Sequence, residues 1–219
     1  MAGGAVPSAL EFMDSLAIDA LRSGGFGNDL PEGTGAVLMV EADGPEAAVT
    51  EEFAGLTASL EGAGLLEVQT GASAEEIKAL WKARKSLSRA VKRIAPLKIN
   101  EDVVVPVTAL AEFIGRLEGL GEEFALPIVN FGHAGNGNIH VNLMVHPDDP
   151  DEMARARACL NRVFDTVLEL GGTLSGEHGV GSEKAPFVAR ELDPTSRVLH
   201  NQIKAAFDPK GILNPGKAF

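Results

Sequence analysis

Two short stretches concentrate the residues able to do chemistry. In residues 131–142, FGHAGNGNIHVN, His133 and His140 flank a loop containing Gly135 and Gly137. In residues 171–184, GGTLSGEHGVGSEK, Glu177 and His178 stand side by side among five glycines. Glycine permits tight reversal and left-handed backbone, so a hairpin in the first stretch brings its two imidazoles near each other at the base. A helix would also put residues seven apart on one face, but the intervening Gly and Asn residues disfavour it. Two imidazoles and a carboxylate form a ligand set that leaves coordination positions open, as catalytic metals require. His133, His140 and Glu177 are therefore candidate ligands of a divalent ion (zinc, manganese or iron), and His178 remains as a base. The string is not HExxH, so the helical geometry of the zinc proteases is absent. Taken singly, GNGN is an ordinary hairpin turn and Glu-His in a glycine loop a solvated pair. Their joint occurrence on glycine loops after apolar strands carries the site reading, because sites tend to be built there.

A third stretch, WKARKSLSRA at residues 81–90, places Arg84 and Ser88 four apart, on one helix face. A guanidinium can grip a carboxylate with two parallel hydrogen bonds. On its own this helix reads as a solvated charged face, since Lys82, Lys85 and Arg89 surround Arg84.

The elements that must position these residues alternate along the chain. AVLMVEAD (36–43) reads as a strand and residues 46–62 as a helix. LLEVQTG (65–71) reads as a short strand, and residues 74–94 as a helix with Ile77, Leu80, Trp81 and Leu87 at helical spacing. INEDVVVP (99–106) reads as a strand, and Thr108 as the N-cap of a helix to residue 124. PIVNFGH and NIHVNLMVH form a hairpin about the glycine turn, and residues 149–170 a long amphipathic helix. A glycine-rich loop, two short helices and the tail FDPKGILNPGKAF complete the chain. The hairpin forces an antiparallel pair and the strands alternate in polarity, so the expected class is α+β: an antiparallel sheet with helices mainly on one face.

The size suits one domain with a sizeable core, and the 45% apolar content is ordinary for a globular protein. No run approaches the roughly 20 apolar residues of a bilayer span. MAGGAVPSALEFMD lacks a basic start followed by an apolar run, so no signal peptide is read there. A soluble, cytoplasmic protein is expected. The net charge of −12 argues against nucleic acid as a partner. The single cysteine, Cys159, cannot form an internal disulfide and reads as a core residue.

In this order, GHAGNGNIHVN, SGEHGVG and DPKGILNPGK resemble the C-terminal half of FAD-linked oxidases of the vanillyl-alcohol-oxidase type. Its nearest members are the D-lactate dehydrogenases, the D-2-hydroxyglutarate dehydrogenases and the FAD subunit of glycolate oxidase. The similarity runs from PSALEFMD near the start to NPGK near the end. The resemblance implies a ferredoxin-like domain in which His133, His140 and Glu177 hold a divalent metal. It further implies that His178 is the catalytic base, that Arg84, Ser88 and Asn142 contact substrate, and that Asn214 lies in the tail returning to the flavin domain. The implied activity is that of an FAD-dependent D-2-hydroxyacid dehydrogenase of the D-lactate or glycolate type, passing hydride from a 2-hydroxy acid to flavin. Residues 1–219 are then its substrate- and metal-binding domain. The FAD-binding domain would belong to the same full-length chain, the isolated piece would be inactive, and an electron-acceptor subunit would be a further partner. Two other classes stay open at this point: a non-catalytic module that binds metal and hydroxy acid, and a metal-dependent hydrolase. The chain departs from the family pattern at Asn136, where GDGN is usual. It also has Asn100 two residues before Asp102, where some relatives carry a substrate-binding lysine, with Lys98 displaced by two.

Overall fold

A computed structural model of the chain describes residues 7–60, 62 and 64–218. Residues 1–6, which open the segment inspected for a signal peptide, lie outside the described residues, as do Glu61 near the end of the expected 46–62 helix and Phe219 at the end of the tail.

Five strands form one sheet: β1 (Ala9–Asp14), β2 (Ala36–Glu41), β3 (Leu97–Val104), β4 (Ile128–His133) and β5 (Asn138–Val145). Their order is β2-β1-β4-β5-β3 and every neighbouring pair is antiparallel. The expected α+β class is thus found. Side chains alternate across each strand. Phe12, Val103, Ile128, Ile139, Val141 and Leu143 face one core. Met13, Val129, Phe131 and Met144 face a second.

The helices divide between these faces. On the first lie α4 (Leu110–Phe124), which buries Phe113, Leu117 and Leu120, and α5 (Pro150–Glu169), which buries Ala156, Cys159, Val163, Phe164 and Val167. Each large side chain fully buried here contributes roughly 1.5–3 kcal/mol. Burial pushes the Cys159 thiol up to about 11, as befits an inert core residue. On the second face lie α1 (Ser15–Ser23) and α3 (Ala74–Ala90), which insert Ala17, Ala20, Leu21, Leu87 and Ala90. The mostly small side chains of this second set leave part of that face to polar groups, and the site is built there.

Local chemistry sets the helix starts. Ser73 and Glu76 form a reciprocal capping box on α3. The Asp149 carboxylate caps α5, with Pro150 at its first position. Asp14 ends β1 and caps α1 by accepting the Ala17 N–H at 2.8 Å. Thr108 does not cap α4: a single 3₁₀ turn over Val107–Ala109 intervenes after Pro106, and Ala109 takes the cap position without a side-chain bond. Residues 65–71, read as a strand, are irregular. Edge strand β2 pairs only with β1 among the described strands, and Leu65, Leu66 and Val68 remain exposed, so this apolar run has neither a ladder nor a core to join. Residues 46–60 of the next expected helix form α2 (Glu46–Leu60), and a short α6 (Val188–Glu191) and α7 (Pro194–Phe207) precede the tail. Among the described residues, no helix is long and apolar enough to cross a membrane.

Candidate active site

The hairpin β4–β5 carries the two histidines. His133 pairs with Asn138, and His140 lies between Phe131 on one side and Asp102 on the other. Their side chains share the second face, where the rings meet edge to face with centroids 5.6 Å apart. The connecting turn depends on Gly137: its φ is +79°, and a Cβ there would sit 1.9 Å from the Val105 carbonyl oxygen.

The glycine loop 171–184 docks against β3. Thr173 bridges Val104, and the fully buried Asp102 fastens residues 176–178. Asp102 Oδ2 accepts the backbone N–H of Gly176 at 2.9 Å and those of Glu177 and His178 at 2.8 Å each. Its Oδ1 accepts the Asn138 amide at 2.6 Å. Burial pushes the Asp102 carboxyl up, but the His178 N–H, the Asn138 amide, the Glu177 N–H and the Lys184 ammonium together hold it below the usual carboxylate range. Lys184 Nζ donates to the Asp102 carbonyl at 2.6 Å and lies 3.6 Å from Glu101. The tail joins the same loop through the Ala218 N–H, which donates to the Gly181 carbonyl at 2.8 Å.

This docking places Glu177 at the focus of three imidazoles. Glu177 Oε1 lies 3.8 Å from His133 Nε2, 3.6 Å from His140 Nε2 and 3.8 Å from His178 Nε2. His178 stacks on His140 with centroids 5.3 Å apart and planes 20° from parallel. One ligand atom each from His133, His140 and Glu177 falls within 4.8 Å of the others. Donors about 2.0–2.2 Å from one ion sit roughly 3–4 Å from each other, so the observed spacing fits a divalent ion with little movement. The His140 ring suits a ligand role: burial lowers its pKa, opposed by Glu177, so the neutral form is favoured. Asp102, His140 and His178 offer a second, overlapping set of donors.

Of the predicted substrate residues, Arg84 is tied to this focus, through the Glu11 carboxylate that also meets His133. Arg84, on α3, donates Nε to Glu11 Oε2 at 2.7 Å and stacks on Phe131, its guanidinium carbon 5.0 Å from the ring centroid. Ser88, one turn on, is exposed, and its hydroxyl accepts from Lys98 Nζ at 3.3 Å. Asn142 is fully buried: its amide donates to the Val129 and His140 carbonyls and its oxygen accepts from Asn100 at 2.9 Å. Asn214 stands apart in the exposed tail, in the left-handed region at φ 46°. Sequence reasoning missed Glu11, a buried carboxylate on β1, and the clamp formed by Asp102. A signal for Glu11 was present: a carboxylate in the otherwise apolar run ALEFM must be paired if the strand is covered.

The family profile described as FAD linked oxidases, C-terminal domain, matches residues 1–218. The chain belongs to this family. It is 37% identical to glycolate oxidase subunit GlcD of Bacillus subtilis (strain 168), covering 98% of this chain and 45% of that protein. It is 33% identical to a D-lactate dehydrogenase of Anaerostipes hadrus, covering 96% of this chain and 46% of that protein. The FAD-linked oxidase domain therefore spans about half the length of the curated relatives it matches. Its fold is that of the corresponding part of p-cresol methylhydroxylase, with a TM-score of 0.68 at 15% identity over 96% of this chain and 46% of that one.

Three backbone N–H groups of the glycine loop are already engaged and so are not free to cradle a phosphate. The N–H groups of Gly176, Glu177 and His178 all point at Asp102, which occupies the place an anion would need.

Proposed function

We propose that this domain is the metal- and substrate-binding half of an FAD-dependent dehydrogenase acting on small D-2-hydroxy acids of the lactate or glycolate type. The observation that carries the reading is the convergence of His133, His140 and His178 Nε2 on Glu177 Oε1. FAD would be held by the part of the protein that relatives have beyond this domain, and would accept the hydride.

His133, His140 and Glu177 would hold a divalent ion, which would supply Lewis acidity toward the substrate hydroxyl. His178, beside that position and half exposed, takes the hydroxyl proton at Nε2 as general base. Its backbone is fixed through Asp102, and its ring stacks on His140 with centroids 5.3 Å apart, which orients the base toward the Glu177 side. Arg84 grips the substrate carboxylate with its terminal nitrogens while Nε stays on Glu11. Ser88 and Lys98 border the same side, Asn142 supports the strand beneath, and Asn214 meets the flavin side.

The test is anaerobic reduction of the flavin-bound protein by D- and L-2-hydroxy acids, with and without a chelator. Bleaching by the D-acid, lost on chelation, is expected. His178→Ala should slow bleaching by about 10²–10⁴-fold with metal content unchanged. Near-normal bleaching by that variant would remove His178 from the base role, and bleaching that survives complete metal removal would remove the ion from the mechanism.

A further inference from the structure

Glu11 occupies a position that its strand does not explain. It is only 5% exposed, it lies on β1 opposite His133, and both of its oxygens are engaged on different elements. Oε2 accepts Arg84 Nε from α3 at 2.7 Å, and Oε1 lies 2.6 Å from His133 Nδ1 on β4. A buried carboxylate of this kind persists only when paired. Here the guanidinium supplies the charge and the imidazole the second hydrogen bond.

The consequence for His133 is chemical. A carboxylate oxygen beside Nδ1 makes that nitrogen the N–H donor, which leaves the lone pair on Nε2. Nε2 is the atom that faces Glu177. Arg84 in turn stacks on Phe131, whose register partner is His140 and whose ring lies 5.8 Å from that of His140. One carboxylate thus joins the helix bearing the Arg84 guanidinium to β4, and the Arg84–Phe131 stack carries the contact on to His140 of β5.

We propose that Glu11 is a positioning residue of the site: it holds His133 as the Nδ1–H tautomer with Nε2 presented to a divalent ion, and it fixes Arg84 beside that ion as their shared counter-charge. The proposal rests on the reading that His133, His140 and Glu177 hold a metal. Glu11 touches neither the ion nor substrate; it acts through His133 and Arg84.

The experiment titrates Mn²⁺ and Zn²⁺ into metal-free protein by calorimetry, for wild type, Glu11→Gln and His140→Ala, alongside ¹⁵N spectra of the histidine rings. Glu11→Gln keeps the shape but puts an amide where two donors require acceptors. It is expected to bind the ion about 10–100-fold more weakly and to lose the fixed His133 tautomer. Unchanged affinity and unchanged ring spectra in Glu11→Gln, with wild type binding normally, would overturn this proposal and leave the metal reading standing. No binding by wild type would overturn both. If Glu11→Gln fails to fold, the wild-type spectrum still decides: Nδ1–H on His133 in the metal-free protein is required, and Nε2–H contradicts the proposal.

Discussion

Asp102 holds His178 by its backbone: Oδ2 accepts the His178 N–H at 2.8 Å, together with the N–H groups of the two preceding residues. A single buried carboxylate on β3 thereby sets the position of both the carboxylate expected to bind metal and the imidazole expected to act as base. Asp102→Asn removes the charge and turns part of the acceptor edge into a donor. The expected outcome is a loss of about 1–3 kcal/mol in stability per N–H left unpaired, with weakened Mn²⁺ binding because Glu177 is no longer fixed. Urea denaturation and metal titration of the variant check this. Wild-type stability would show that the loop docks by other contacts.

The turn between the two imidazoles is equally constrained. Gly137→Ala places a Cβ in a left-handed conformation against the Val105 carbonyl. A loss of at least about 2 kcal/mol is expected, read as a fall in melting temperature. Metal affinity should fall with it, since the turn sets the separation of His133 and His140.

Asp14 makes stability depend on pH in an unusual direction. Burial raises its carboxyl to about 6, only partly offset by the Ala17 and Asn130 N–H groups and the Asn130 amide. Its pKa is higher folded than unfolded, so the folded state binds more protons between about pH 4 and 6. The contribution of Asp14 is therefore fully present below its unfolded pKa of 3.8 and is lost as pH rises through about 6. The shift corresponds to a contribution on the order of 3 kcal/mol. Asp14→Asn keeps a capping oxygen and is expected to flatten stability measured between pH 4 and 7 relative to wild type. Parallel profiles for the two proteins would contradict this.

Much of the site could be read from sequence because its residues sit on glycine loops after apolar strands. His133, His140, Glu177 and His178 stood out there, and the structure brings the three imidazoles within 4 Å of a common Glu177 oxygen. The antiparallel class followed from the GNGN hairpin. The hidden features depended on tertiary partners. ALEFMD has no clean alternation because β1 is an internal strand, covered on both faces, and its Glu11 is satisfied by residues more than 70 positions away. Asp102 looks like one acidic residue in a strand, and its role appears only when residues 176–178 arrive. The opposite failure occurred at residues 65–71, where a strand-like composition met no strand partner. Thr108 had the right chemistry for a cap but fell one residue inside an added 3₁₀ turn.

The most direct test of the central claim is the metal content of the purified protein, by elemental analysis, for wild type and His140→Ala. About one divalent ion per wild-type chain is predicted, with its loss in the variant without loss of fold. A wild-type protein that stays metal-free after saturation with Zn²⁺ or Mn²⁺, or a His140→Ala protein that retains the ion, would contradict it.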